Sequence, residues 1–204
     1  MKLIIDKIEY TAKPDQSLYD IVKELGFIKG NLSTDPIAAK MAGRVFTLNY
    51  VPLREKDLTP ERKSVRKAVA SANGIVTLLT IKDEAGRDVY MRTAQFIIFL
   101  AIERLWPQAQ AKMCCTIGSG VYVKVHNAEG FDVQKLKAEI QKIVDEDIVL
   151  RRSTITTAEA IAYYKSQGLD DKARLLEYRN KETFNIYKEG DFADYYYGEM
   201  APRT

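Results

Sequence analysis

Apolar positions crowd most densely between Tyr90 and Val125. The run Phe96-Ile97-Ile98-Phe99-Leu100-Ala101-Ile102 has no polar break. A helix that is apolar on every side belongs inside a domain, and this one falls short of the ~20 apolar residues that a bilayer span needs. Pro107 stops it, because proline lacks an N–H and clashes with the preceding turn. Val121-Tyr122-Val123-Lys124-Val125 is β-branched and aromatic, which predicts a strand. A buried helix beside a strand makes a core for the other segments to cover.

Ahead of this core the pattern shortens. Leu3, Ile5 and Ile8 sit among Asp6, Lys7 and Glu9 and predict a short hairpin or strand pair. Ser17 suits a helix N-cap, with Asp20 in the first turn where the dipole favours a carboxylate. Leu18, Ile21, Val22 and Leu25 line one face of that helix, and Gly26 ends it. Ile37–Met41 and Val45–Leu48 predict strands separated by Gly43. Asn73-Gly74 marks a turn, Ile75–Ile81 a strand, and Asp83-Glu84-Ala85-Gly86 a loop. Strand, helix, strands and a closing strand form a small mixed sheet with one helix across it, a ubiquitin-like β-grasp pattern. One segment breaks the order: residues 53–72 are densely charged, and Thr59-Pro60-Glu61 is a good helix start.

After the core, Asp132 caps an amphipathic helix with Leu136, Ile140, Ile143 and Val144 on its apolar face. Ile148-Val149-Leu150 reads as a short strand. Thr156 and Glu159 form a capping box for a helix ending near Gly168. Asp170 or Asp171 starts another helix through Tyr178. Phe184–Tyr187 is a strand, and the aromatic tail from Gly190 is hairpin-like. Together these predict an α+β chain of two units, 1–86 and 87–204.

Composition changes this picture little. At 204 residues, with 46% hydrophobic and 29% charged positions, the chain is an ordinary globular one. A net charge of +3 argues against a strongly basic nucleic-acid arm. A local patch at Lys56, Arg62, Lys63, Arg66 and Lys67 remains a candidate RNA contact. Cys114 and Cys115 build no disulfide framework and are too few for a structural zinc site; buried, reduced thiols are expected. Charge comes too early for a signal-peptide core, so the cytoplasm is the expected place, with no membrane partner.

Most catalytic patterns are missing. No segment matches a phosphate-binding P-loop. Gly118-Ser119-Gly120 lacks a third glycine and precedes a strand, so it reads as a turn. His126 is the only histidine, which excludes a multi-histidine metal site within one chain; it is expected in a solvated turn. The acidic run Asp145-Glu146-Asp147 reads as a solvated helix end.

Several stretches nevertheless form a familiar series. Ala42-Gly43-Arg44-Val45, followed by the strand from Ile75, resembles the TGS domain, a β-grasp module at the front of threonyl-tRNA synthetases. Leu105-Trp106-Pro107, Thr116-Ile117-Gly118, Gly120-Val121-Tyr122, Phe131-Asp132-Val133, Asp147–Arg152 and Tyr187–Asp194 resemble the adjoining domain, which hydrolyses mischarged tRNA. That editing domain carries two histidines four apart on its first helix, and a cysteine and a histidine four apart in its tail. The matching positions here are Arg92 and Phe96, then Tyr196 and Met200. None holds a metal or shuttles a proton as imidazole and thiolate do. The resemblance therefore implies a pocket without its editing chemistry.

Uridine-kinase-like proteins share this front end, and an arginine and a phenylalanine on the first helix are more like them. That resemblance implies an N-terminal piece of a longer protein, with a P-loop kinase domain beyond Thr204. ATP and magnesium would serve that domain; no cofactor is expected in this chain. Two departures stand out: the insert at 53–72 is longer than in a TGS domain, and the turn at Gly118 is shorter than in synthetases. The implied pocket is lined by Arg92, Gln95, Phe96, Tyr122, Asp194, Tyr196 and Met200. Arg92 would grip a small anionic ligand or nucleotide through its planar fork, and Tyr196 would offer a stacking face. The alternatives are an RNA- or tRNA-binding module, or a deacylase with altered residues that positions water with Asp194 and Tyr196.

Overall fold

A computed structural model describes residues 1–53, 67–71, 73–118, 120–178 and 182–204. Lys56, Arg62, Lys63 and Arg66 lie outside the described residues, as does the predicted helix start at Thr59. The chain is mixed α+β and divides into two compact units. The first comprises Met1–Ala101, Asp132–Val149 and Gly198–Thr204; the second comprises Ile102–Phe131 and Leu150–Tyr197. Among the described residues, no helix is long and apolar enough to cross a membrane.

The first unit holds a five-stranded sheet. Its strands are β1 (Lys2–Ile5), β2 (Ile8–Thr11), β3 (Ala38–Met41), β4 (Arg44–Thr47) and β5 (Ile75–Leu79), in the order β2-β1-β5-β3-β4. Only the β1–β5 pair is parallel; the other neighbours are antiparallel. Helix α1 (Leu18–Glu24) crosses between β2 and β3. Ser17 and Asp20 form a capping box at its start, satisfying N–H groups that the first turn leaves open. Alternation along the strands loads both faces of the sheet. Leu3, Ile5, Ala39, Met41 and Val76 cluster with Leu18, Ile21 and Val22 of α1. Ala38 and Leu79 turn to the other face and meet Val89 and Ala85 of the next helix.

That helix, α2 (Glu84–Leu105), contains the long apolar run. It starts earlier than the pattern predicts: Asp83-Glu84-Ala85-Gly86 is not a loop, because Glu84 onward is already helical. Asp83 accepts from the N–H and hydroxyl of Thr80, while its own carbonyl accepts from Arg87 N–H. These short-range bonds lead the chain directly from β5 into the helix. Helix α3 (Val133–Asp145) follows its predicted cap, with Asp132 accepting from Gln134 N–H at 2.7 Å. Ile143 is fully buried, whereas Val144 is exposed rather than on the apolar face. Ile148–Leu150 is not a strand; Val149 makes one isolated bridge to Arg203.

The loop between α1 and β3 turns on Asp35, whose Oδ2 accepts from the N–H groups of Lys29, Gly30 and Asn31. Burial pushes its carboxyl up, but these donors outweigh burial and hold it below its ordinary value of 3.8. A lowered carboxyl contributes stability that is complete above the unfolded value and is lost as pH falls through the folded one. Asp35→Asn should therefore lower the melting temperature at neutral pH and shrink the loss seen as pH falls below 3.8. Equal acid sensitivity of the two proteins in melts would contradict this.

The second unit contains two sheets. A three-stranded sheet runs β10-β9-β8, from β8 (Arg152–Thr156), β9 (Thr183–Glu189) and β10 (Phe192–Tyr195), all antiparallel. Helices α4 (Thr157–Ser166) and α5 (Asp170–Glu177) pack on it through Ala160, Tyr164, Ala173, Leu176 and Phe184. The capping box of Thr156 and Glu159 forms as the spacing predicts. The other sheet is a hairpin of β6 (Gln110–Ile117) and β7 (Gly120–His126). A bulge between Met113 and Cys115 interrupts its register. Cys114 and Cys115 are free but exposed, not buried. A two-stranded ribbon has too little covering to enclose both sides of its strands.

Candidate functional site

The second unit assembles its polar cluster on β10. The β9–β10 hairpin places Asp194 opposite Tyr187, and it is buried to 7% exposure. A buried carboxylate is costly unless paired and hydrogen-bonded. Here Lys172 of α5 supplies an ammonium 2.8 Å from Oδ1. Tyr164 of α4 donates its hydroxyl to the same oxygen at 3.2 Å, and the N–H of Tyr195 donates at 2.9 Å. The Lys172 ammonium also lies 5.4 Å from the centre of the Tyr164 ring, within cation–π range. Next along β10, the N–H of Ala193 donates to the hydroxyl of Tyr163 at 2.9 Å.

The electrostatics of this cluster favour holding over proton transfer. Burial pushes the Tyr164 hydroxyl far up, and the Asp194 charge beside it pushes further. Burial and then Asp194 do the same to Tyr196. Burial raises Tyr163 as well, against the opposing N–H of Ala193. These phenols stay protonated at neutral pH and do not act as bases; Tyr164 donates to Asp194 and Tyr163 to the Asp191 carbonyl. Elsewhere in the unit, burial holds Glu103 in the last turn of α2 above the usual carboxylate range.

In the first unit, the tail segment closes on α2. Arg92 Nε donates to the carbonyl of Glu199 at 2.9 Å. Thr93 accepts from Ala201 N–H through its hydroxyl oxygen, and donates to the Val89 carbonyl. Gly198 gives the guanidinium room: a Cβ there would stand 2.8 Å from Arg92 Cζ. Arg92 thus binds the chain's own backbone with one arm of its fork.

The seven residues expected around one pocket are distributed over both units. Arg92, Gln95, Phe96 and Met200 lie in the first, and Tyr122, Asp194 and Tyr196 in the second. Phe96 and Met200 are wholly buried, Tyr196 nearly so, and Gln95 is half-buried. Tyr122 stands exposed on β7. Among the RNA-contact candidates, Lys67 is exposed at the start of the helical residues 67–71. His126 is exposed at the end of β7. Among the described residues, no group of three or more His, Cys, Asp or Glu is placed to hold a metal.

Sequence reasoning does not single out Lys172, Tyr163 or Tyr164. The four-residue spacings draw attention to other positions, while Lys172 and Tyr164 lie 22 and 30 residues before Asp194. One signal is available: Tyr163 and Tyr164 sit mid-helix in α4, where polar hydroxyls on a packed face call for a partner.

No protein-family model matches the chain. Among curated proteins, it is 32% identical to the threonine–tRNA ligase of Acetivibrio thermocellus over 171 residues, covering 82% of this chain and 24% of the relative. It is 29% identical to the Clostridioides difficile ligase over 192 residues, covering 92% of this chain and 27% of the relative. For the Symbiobacterium thermophilum ligase the identity is 27%, covering 98% of this chain and 30% of the relative. The chain spans between 24% and 30% of the length of these relatives. Nearly all of this chain is therefore homologous to a part of threonine–tRNA ligases.

Proposed function

We propose that the chain is a tRNA-related module that binds RNA without hydrolysing an ester. The observation that carries this reading is the similarity of nearly the whole chain to a part of threonine–tRNA ligases. The strand order β2-β1-β5-β3-β4, with α1 entering after β2, favours a TGS-like β-grasp front within residues 1–86. We take residues 87–204 as the editing-like part. These relatives are tRNA ligases, so the expected kinase domain, with its ATP and magnesium, has no observation behind it. Loss of hydrolysis follows from the side chains at the resembling positions. Arg92 cannot release a proton at neutral pH, and Phe96 and Met200 have none to exchange. The Asp194 cluster is held by donors, with no group tuned for proton transfer.

Binding to bulk tRNA, followed by anisotropy between 50 and 200 mM salt, tests the module reading. Binding that weakens steeply with salt is expected; no binding at either end overturns the reading. Incubation with mischarged aminoacyl-tRNA tests the chemistry. Ester loss at the uncatalysed rate is expected. Turnover above that rate makes the chain a deacylase with altered residues, and Asp194→Asn would then be the variant to abolish it.

A further inference from the structure

The β6–β7 hairpin carries a surface that neither the ligase similarity nor the Asp194 cluster accounts for. Strand alternation sorts its side chains. Val121, Val123 and Val125 are half-buried on one face, with Ala111 and Met113 opposite them. Tyr122, Lys124 and His126 are exposed on the other. The register sets Lys112 directly opposite Lys124, Gln110 opposite His126 and Cys115 opposite Tyr122. All six are exposed.

Two features make this face unusual for a solvated ribbon. Lysines directly opposite each other sit about 5 Å apart at Cβ and repel, so the hairpin's own stability works against the pair. Nor is there a carboxylate to relieve it: residues 110–126 contain no Asp or Glu. Among the described residues neither lysine has an ion pair. Beside them Tyr122 is 49% exposed, which leaves a ring face open to solvent. An exposed aromatic face next to unpaired cations is the combination that grips single-stranded nucleic acid, stacking a base and neutralising the flanking phosphates.

We propose that this face of the hairpin, through Lys112, Lys124 and Tyr122, binds an unpaired stretch of RNA. The proposal rests on the tRNA-related reading for its choice of RNA, and on charge complementarity for its choice of a polyanion. The lysines take the phosphates, and Tyr122 stacks one unpaired base.

The test uses the full chain and a fluorescent single-stranded RNA of roughly 12 nucleotides, with bulk tRNA measured alongside. Each phosphate that is no longer neutralised removes about 0.7 from the salt slope, so the double variant Lys112→Ala/Lys124→Ala should flatten it by about 1.4. Tyr122→Ala should weaken binding about tenfold, while Tyr122→Phe should bind nearly as the parent does. Melting temperatures confirm that each variant is folded, and Lys112→Gln/Lys124→Gln repeats the charge removal with a longer side chain. If the parent binds tRNA and the variants bind the oligonucleotide with unchanged affinity and slope, the hairpin assignment falls and the module reading stands. If the parent binds neither RNA, both fall. If an acidic peptide of equal charge displaces the RNA at equal concentration, the face is a general anion site and the assignment to RNA falls.

Discussion

Phe96→Ala is expected to cost about 3–5 kcal/mol of folding stability. Phe96 lies within α2 and is fully excluded from solvent. Truncation there loses the transfer energy of the ring and leaves a cavity that the rest of a helix apolar on all sides collapses into only partly. At this chain length the fall in melting temperature is roughly 10 °C, measurable by thermal or denaturant unfolding. The result bears on the site as well as on the core. A cost below about 1 kcal/mol, the range of surface substitutions, would make Phe96 the wall of an open pocket rather than a packed residue. A large cost would mean that Phe96 serves the packing of α2 itself.

Gly86→Ala has the second largest expected effect. Its added Cβ would stand 1.9 Å from the Thr80 carbonyl oxygen and 2.8 Å from the Thr80 carbonyl carbon. These are backbone atoms. Thr80 is tied in place, its carbonyl accepting from Asp83 N–H and its N–H and hydroxyl donating to the Asp83 carboxylate. Alanine would gain about 1 kcal/mol of helix propensity. Overpacking against a fixed backbone costs about 3 kcal/mol, so the net change should be destabilising, with the junction of β5 and α2 displaced. A melting temperature equal to or above the parent's would show that the two segments do not meet as described.

Much of the local structure is legible in the sequence because its causes act within one helical turn. Ser17 with Asp20, Thr156 with Glu159, and Asp132 ahead of its helix each satisfy N–H groups two or three residues away. Pro107 and Gly26 end helices through their own backbone chemistry. β8 escapes the pattern because its residues, Arg152–Thr156, are mostly exposed and polar; β9 makes it a strand by pairing with it. The buried character of α2 follows from seven apolar residues in succession, since no orientation of such a helix hides them except a core.

By itself, then, the sequence determined where several helices start and stop (though not that α2 begins at Glu84), that one of them must be buried, and that a single histidine leaves no pair of imidazoles in this chain. Only the tertiary structure decided which side chains meet. Lys172 and Tyr164 became partners of Asp194 through the packing of α4 and α5 on the three-stranded sheet. Arg92 took the Glu199 carbonyl from 107 residues away. The two cysteines and Tyr122 came to the surface because their strands formed a separate ribbon. Such pairings depend on how distant elements close on one another, and no local periodicity encodes that.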